Sequence, residues 1–325
     1  YMRILKNNEL QTFEHLARLT QPSLRKHLNM FLRQKYDKVV TTEDYIYAEG
    51  TIPIALIAHM DTVFPIPPEE ILYDTNHNIM ISPQGLGADD RAGIYMITKL
   101  IRDGFKPHVI FTTDEERGCL GAAKLAQLPC PFKDLRFMIQ LDRHGANDCV
   151  FYECDNPNFT EYIESFGFVE ALGSFTDITE LGPAWNVGAV NLSVGYRDEH
   201  TRSEVLFVGQ MLETLEKVRT ILRQKIELIP EFKFIPRVWN SGPWLSKYHT
   251  DNVCKCCGKY IPNHNGITVY SDYDFDYVTY CNECKDIALK KCSICGSYYE
   301  PYAKDEFNAC IDCTDDLLDR KFGRD

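Results

Sequence analysis

The chain has 325 residues and a net charge of −12. That length accommodates one sizeable domain and a small second one. The acidic balance argues against nucleic acid as a partner, and no apolar run approaches the length of a membrane span, which argues against a membrane partner. Tyr1 stands ahead of Met2 and reads as an added residue. No signal-peptide pattern follows it, so a cytoplasmic protein is expected.

Residues 10–34 read as helical, with Leu16, Leu19, Leu24, Leu28 and Phe31 apolar and a break expected at Gln21-Pro22-Ser23. Tyr45–Tyr47 and Ile52–Ala58 read as strands. The second is almost wholly apolar, as a central strand buried on both faces should be, and it runs directly into His59. Asn78–Ser82 is a further short strand. A helix is predicted from about Asp90, carrying Ile94, Ile97, Leu100 and Ile101 on one face. Val109–Phe111 is a strand leading to Glu115-Glu116, and Gly121–Gln127 a short helix. Phe137–Leu141 is a strand ending at Asp142, and Val187–Gly195 a strand leading to His200. Thr201-Arg202-Ser203-Glu204 has the capping-box pattern and predicts the start of a helix with Val208, Met211, Leu215 and Leu222 in its stripe. Strands alternating with helices predict an α/β fold: a mixed, largely parallel sheet flanked by helices, with ligands beyond the carboxyl ends of its strands.

The predicted domain spans residues 1–228, a linker spans 229–250, and residues 251–325 form a cysteine-rich unit. Nine of the 13 cysteines lie in that last segment. Cys254/Cys257 and Cys281/Cys284 form one foursome of C-x-x-C knuckles, Cys292/Cys295 and Cys310/Cys313 another. Each foursome suits one tetrahedral, structural Zn(2+), because four thiolates leave no open position for water. Gly258 and Gly296 after the first knuckle of each set permit its tight turn. An interleaved pairing of the knuckles is compatible with the same spacing, and Cys256 is an odd thiol. The pattern resembles tandem zinc ribbons. Acidic residues outnumber basic ones in this segment, so a protein partner fits it better than a nucleic acid.

The chemistry-bearing residues lie in the first domain. His59-Met60-Asp61, Gly87-Ala88-Asp89-Asp90, Asp114-Glu115-Glu116, Asp142 and His200 follow in that order, most of them just past a predicted strand. Imidazoles and carboxylates are ligands for zinc, and five of them with one bridging leave room for water and substrate. Two ions about 3.5–4 Å apart can share an acidified water and clamp a tetrahedral intermediate. A base must not itself be spent on metal, and adjacent Glu115 and Glu116 can point in different directions.

Ala58-His59-Met60-Asp61-Thr62-Val63, Leu86–Gly93 and Thr113-Asp114-Glu115-Glu116 closely resemble motifs of the co-catalytic di-zinc aminopeptidase and carboxypeptidase superfamily, which includes peptidase T and the glutamate carboxypeptidases. The resemblance spans roughly residues 50–205. It implies that Asp89 bridges two catalytic Zn(2+) ions, with a cis peptide to Asp90. His59 and Asp142 would complete one site, Glu116 and His200 the other. Asp61 would sit behind His59, and Glu115 would be the general base. Manganese or cobalt would also suit so carboxylate-rich a site. Phe175-Thr176-Asp177-Ile178 looks like a short segment these enzymes carry before the last strand. Arg143 and His144 depart from the small residues common after the aspartate; they are candidate substrate-binding residues, or an Arg salt-bridged to Asp90 or another acid at the site rim.

Only 57 residues separate Asp142 from His200, too few for the lid domain that larger relatives insert there. The expected function is therefore metal-dependent hydrolysis of a peptide bond by a compact aminopeptidase or dipeptidase. Two alternatives stand beside it: a deacylase of small N-acyl amino acids, and an adaptor that recruits a protein through its ribbons and keeps a vestigial metal site.

Overall fold

The structure, a computed structural model, describes residues 4–237, 254–256, 261, 266–271 and 276–299, in two compact units that divide between Val238 and Trp239. The expected ligands Cys257, Cys310 and Cys313, and the linker beyond residue 237, lie outside the described residues.

The first unit opens with two helices, α1 (Asn7–Ala17) and α2 (Gln21–Arg33). Pro22 sits in the first turn of α2, where its missing N–H costs nothing, so the break falls at residues 18–20 rather than at Gln21–Ser23. Strands β1 (Val39–Thr41), β2 (Tyr45–Ala48) and β3 (Ile52–His59) follow, then the short β4 (Leu72–Asp74) and β5 (Ile79–Ile81). Helix α3 (Ala88–Arg102) leads to β6 (Pro107–Thr112), α4 (Leu120–Ala126), β7 (Phe137–Arg143) and β8 (Asp148–Val150). The chain continues through α5 (Pro157–Glu164), β9 (Val169–Glu170), α6 (Asp177–Trp185), β10 (Ala189–Ser193), β11 (Tyr196–Arg197), β12 (Val205–Phe207) and α7 (Val208–Leu222).

Eight strands form one sheet in the order β1-β2-β6-β3-β7-β10-β8-β9, with β6, β3, β7 and β10 mutually parallel at its centre. The alternation of β3 divides two hydrophobic layers. Ile54, Leu56 and Ala58 join Ile94, Met96 and Ile97 of α3 on one face. Ala55 and Ile57 join Ala122 and Leu125 of α4 and Ile178 and Leu181 of α6 on the other. Helix α3 is buried along nearly its whole length and crosses β7 closely: a Cβ at Gly93 would stand 2.0 Å from the Leu141 carbonyl oxygen. A smaller antiparallel sheet, β11-β12-β5-β4, lies in the same unit. No further domain intervenes between Asp142 and His200; only β8, α5, β9, α6, β10 and β11 do.

The capping-box expectation at Thr201–Glu204 is corrected here. Val205–Phe207 pairs with β5 as β12, and α7 begins only at Val208. Sheet pairing has overridden the local pattern, and Glu204 turns to another task described below. Residues 229–237 pack on the first unit. Phe232 stacks on Phe159 at 4.5 Å, its N–H donates to the Arg136 carbonyl, and Cys154 bridges Pro236.

The second unit is built on a hairpin of β13 (Gly266–Ser271) and β14 (Asp276–Cys281), followed by α8 (Lys285–Ala288), β15 (Lys290–Lys291) and β16 (Tyr298–Tyr299). Cys254, Ile261, Val269, Tyr280, Cys284 and Leu289 are its buried cluster. Among the described residues, no helix is long and apolar enough to cross a membrane.

Candidate metal centre

The four central parallel strands deliver their carboxyl ends to one place, which is where an open α/β sheet presents its site. His59 is the last residue of β3, Asp142 the penultimate residue of β7. Glu115 and Glu116 lie in the turn after β6, and His200 in the loop after β11. Asp89 enters from the first turn of α3, and the Asp89–Asp90 peptide is cis.

The two carboxylate oxygens of Asp89 face different partners. Its Oδ1 is 2.9 Å from His59 Nε2, which is also 3.3 Å from Asp142 Oδ1. Its Oδ2 is 3.2 Å from His200 Nε2, which is also 2.9 Å from Glu116 Oε2. Two nitrogen–oxygen clusters thus share one bridging carboxylate. The His59 side chain is 1% exposed and that of His200 51%, so the second cluster is the one open to solvent.

The buried surroundings fix these groups. Asp61 Oδ1 lies 3.3 Å from His59 Nδ1, which leaves Nε2 facing the cluster. The same carboxylate accepts from the N–H of Glu115 at 3.2 Å and of Glu116 at 3.1 Å. One side chain therefore orients His59 and both glutamates. Asp90 accepts from the His59 and Gly93 N–H groups at 3.3 and 2.9 Å, and one of its oxygens lies within 4.8 Å of donor atoms of His59 and Asp142. Asp142 Oδ2 accepts from Gln140 Nε2 at 3.0 Å and from the Thr176 hydroxyl at 2.9 Å, while Tyr196 donates to Oδ1 at 3.2 Å.

Electrostatics mark the centre as short of positive charge. Burial, reinforced by Asp89, pushes Glu116 up to about 8, and burial beside Asp142 and Asp89 pushes Glu115 up to about 7. Burial also raises Asp142. Hydrogen bonding to Asp89, with the nearby Glu116 charge, carries His200 up to about 9. For His59 burial works downward, but Asp142, Asp61 and Asp89 outweigh it and hold the imidazole well above its usual range. Glu116 Oε1 is buried with no hydrogen-bond partner. Donors on one tetrahedral ion stand roughly 3.3 Å apart at ~2.0 Å bond lengths, close to the separations within each cluster. His59, Asp89 and Glu116 offer atoms within 4.8 Å of one another. The donor set, the missing counter-charge and the orphaned Glu116 oxygen all fit divalent cations.

Glu115 is distinct from these donors. It is 9% exposed, and its Oε1 accepts a long contact of 3.7 Å from Cys119 Sγ. Of the candidate substrate-binding residues, Arg143 donates to the Leu172 carbonyl at 3.1 Å and stands 3.9 Å from Asp148, an acid at the rim rather than Asp90. His144 Nδ1 is 2.7 Å from Glu199, the neighbour of His200.

Sequence reasoning missed Glu204. This residue, 1% exposed, accepts from the N–H of Gly87 at 2.6 Å and of Asp89 at 3.1 Å. It ties the loop that carries His200 to the turn that carries Asp89. Its position four residues after a candidate ligand was the available signal. Thr176 was seen only as part of a short segment before the last strand; its hydroxyl touches the carboxylate of Asp142.

The sequence profile of peptidase family M28 matches residues 47–166, a span that holds His59, Asp61, Asp89, Glu115, Glu116 and Asp142. The match assigns metal-dependent peptide hydrolysis to this domain. No curated protein matches the chain in sequence. Three solved structures share its fold. A tripeptidase from Staphylococcus aureus is 15% identical, with 69% of this chain and 100% of that one covered and a TM-score of 0.56. The aminopeptidase PepT from Bacillus cereus is 15% identical, with 67% and 98% covered and a TM-score of 0.54. An aminopeptidase from the archaeon Desulfurococcus kamchatkensis is 13% identical, with 68% and 96% covered and a TM-score of 0.53.

Proposed function

We propose that this chain, with a peptidase family M28 domain over residues 47–166, is an aminopeptidase or dipeptidase that works with two divalent cations and uses Glu115 as its general base. The observation that carries the reading is the division of Asp89 between two clusters, with Glu115 beside them and outside both sets of close contacts. His59, Asp89 and Asp142 would hold one ion, and Asp89, Glu116 and His200 the other. When bound, such a pair supplies Lewis acidity and a water of lowered pKa. Zinc suits the imidazole and carboxylate donors.

The rest of the chemistry belongs to the chain. Glu115 accepts a proton from the attacking water and later returns it to the leaving amine nitrogen as the C–N bond breaks. Burial, which raises its proton affinity, suits it to both halves of that cycle. Asp61 places the backbone of Glu115 and Glu116 while orienting His59, so base and ligand are registered by one carboxylate. Positioning of this kind is worth more than the single hydrogen bonds suggest, since small misplacements of a reacting group are costly.

The compact domain, without an inserted lid, resembles the simplest aminopeptidases, so peptides with a free amino terminus are the expected substrates. A screen on metal-replete full-length protein tests this. Di- and tripeptides should lose their N-terminal residue, and N-acetylation of the same peptides should abolish turnover. Hydrolysis of N-acyl amino acids with no action on free peptides would replace this reading with a deacylase.

A further inference from the structure

The second unit brings three cysteine sulfurs together. The sulfurs of Cys254, Cys281 and Cys284 lie within 4.8 Å of one another, two of the three in buried positions and the third half-buried. The geometry points to a structural, thiolate-bound zinc ion at these three cysteines.

Two observations support the assignment. Thiolates at ~2.3 Å from a shared tetrahedral ion stand ~3.8 Å apart, so mutual separations under 4.8 Å suit one ion. A disulfide would join two sulfurs and leave the third without a reason to converge. The backbone brings the knuckles together as well: Lys255 N–H donates to the Thr279 carbonyl at 2.9 Å, which docks the first knuckle on β14 two residues before Cys281. The Cys284 N–H then closes the second knuckle on the Cys281 carbonyl at 3.0 Å.

A third observation bears on the unit rather than on this site: in the neighbouring Cys292–Cys295 knuckle two backbone amides face a cysteine sulfur. The N–H groups of Ile294 and Cys295 point at Cys292 Sγ at 3.4 and 3.5 Å. Gly296 follows with φ +77°, a conformation that glycine adopts without strain. Amides aimed at a sulfur favour its ionised form.

Two consequences follow. Cys254 meets Cys281 and Cys284, so consecutive knuckles share an ion, and the interleaved arrangement that the spacing left open is disfavoured. Exposed Cys256 is not among the converging sulfurs, which makes Cys254 the ligand of that tripeptide. Among the described residues the buried cluster of this unit includes two of these cysteines, so a metal held by them would contribute directly to its folding free energy.

The test uses the full chain purified without chelator. Light iodoacetamide is added before, and heavy iodoacetamide after, a graded chelator series, and each cysteine is read by peptide mapping. Cys254, Cys281 and Cys284 are expected to be protected at first and to become reactive together, at one chelator concentration, as one zinc per chain is lost. Cys256 is expected to react from the outset, and C256S to keep its full zinc content. The peptidase centre has no cysteine among its donors, so the thiol readout is blind to loss of the peptidase metals. A disulfide at any of the three cysteines overturns the assignment. So does release of Cys254 in step with Cys292 instead of Cys281 and Cys284, or loss of one zinc in C256S.

Discussion

Replacing Glu204 with alanine probes the tie between the two halves of the centre. Its carboxylate, 1% exposed, is the acceptor for the N–H groups of Gly87 and Asp89 at the start of α3. Truncation strands two buried donors, at ~1–3 kcal/mol each. It also removes a negative charge from a helix N-terminus, worth ~0.3–1 kcal/mol and up to ~2 when partly buried. The expected loss is about 3–5 kcal/mol. For a domain of this size that lowers the melting temperature by roughly 6–20 °C. Glu204→Gln keeps one acceptor oxygen but strands the other donor and loses the charge, so it should lose somewhat more than half as much. Metal affinity should fall in both, because the turn that presents Asp89 is no longer pinned. Calorimetry at saturating metal, with metal content measured on the same samples, checks both effects. A melting temperature within about 2 °C of the parent and unchanged metal content would refute the reasoning.

Asp61→Asn keeps the side-chain shape but removes the charge that orients His59 and accepts from Glu115 and Glu116; metal affinity should drop ~10–100-fold, and competition with a chromophoric chelator showing no change would contradict the role. Gly93→Ala forces a methyl to 2.0 Å from the Leu141 carbonyl and 2.6 Å from the Asp90 carboxylate, so it should cost at least ~1–3 kcal/mol; a parental denaturation curve would contradict the close helix–strand approach. As the proposed base Glu115 would act as the carboxylate, and burial raises it from 4.5 to about 7, so activity should be lost as pH falls through that window. Cations held at the centre would pull the limb down from its upper edge, but a kcat/KM profile with its acid limb at or below 4.5 would argue against Glu115 as the buried base.

The candidate ligands His59, Glu116 and Asp142 were legible because each stands at or just after the end of a strand whose apolar run is hard to mistake, whereas Asp89 opens α3 and His200 follows only the two-residue β11. Ile52–His59 is buried at seven of its eight positions, and an apolar strand that ends in a histidine announces its site. Cross-sheet chemistry is different. Gln140 and Thr176 act on Asp142 from 2 and 34 residues away, and Glu204 acts on Asp89 from 115. Nothing in the local pattern around these residues specifies such partners. Thr201–Glu204 shows the cost of trusting a local rule: the capping-box pattern is present, yet pairing of Leu206 with Met80 draws the following residues into a strand. Glu204 does meet the N-terminus of a helix, but that helix is α3 rather than α7. The two helices read within residues 10–34 were found, but proline at Pro22 was taken for an interruption when it marks a start.

The most direct test of a metal-dependent peptidase with Glu115 as its base is turnover and metal content measured on one preparation of Glu115→Gln, beside Glu116→Gln. The amide keeps the shape of Glu115 and loses only the proton acceptor. Metal content should stay at the parental level while kcat falls ~10²–10⁴-fold, and Glu116→Gln should instead lose metal. Parental turnover in Glu115→Gln, or metal loss equal to that of Glu116→Gln, would contradict the account.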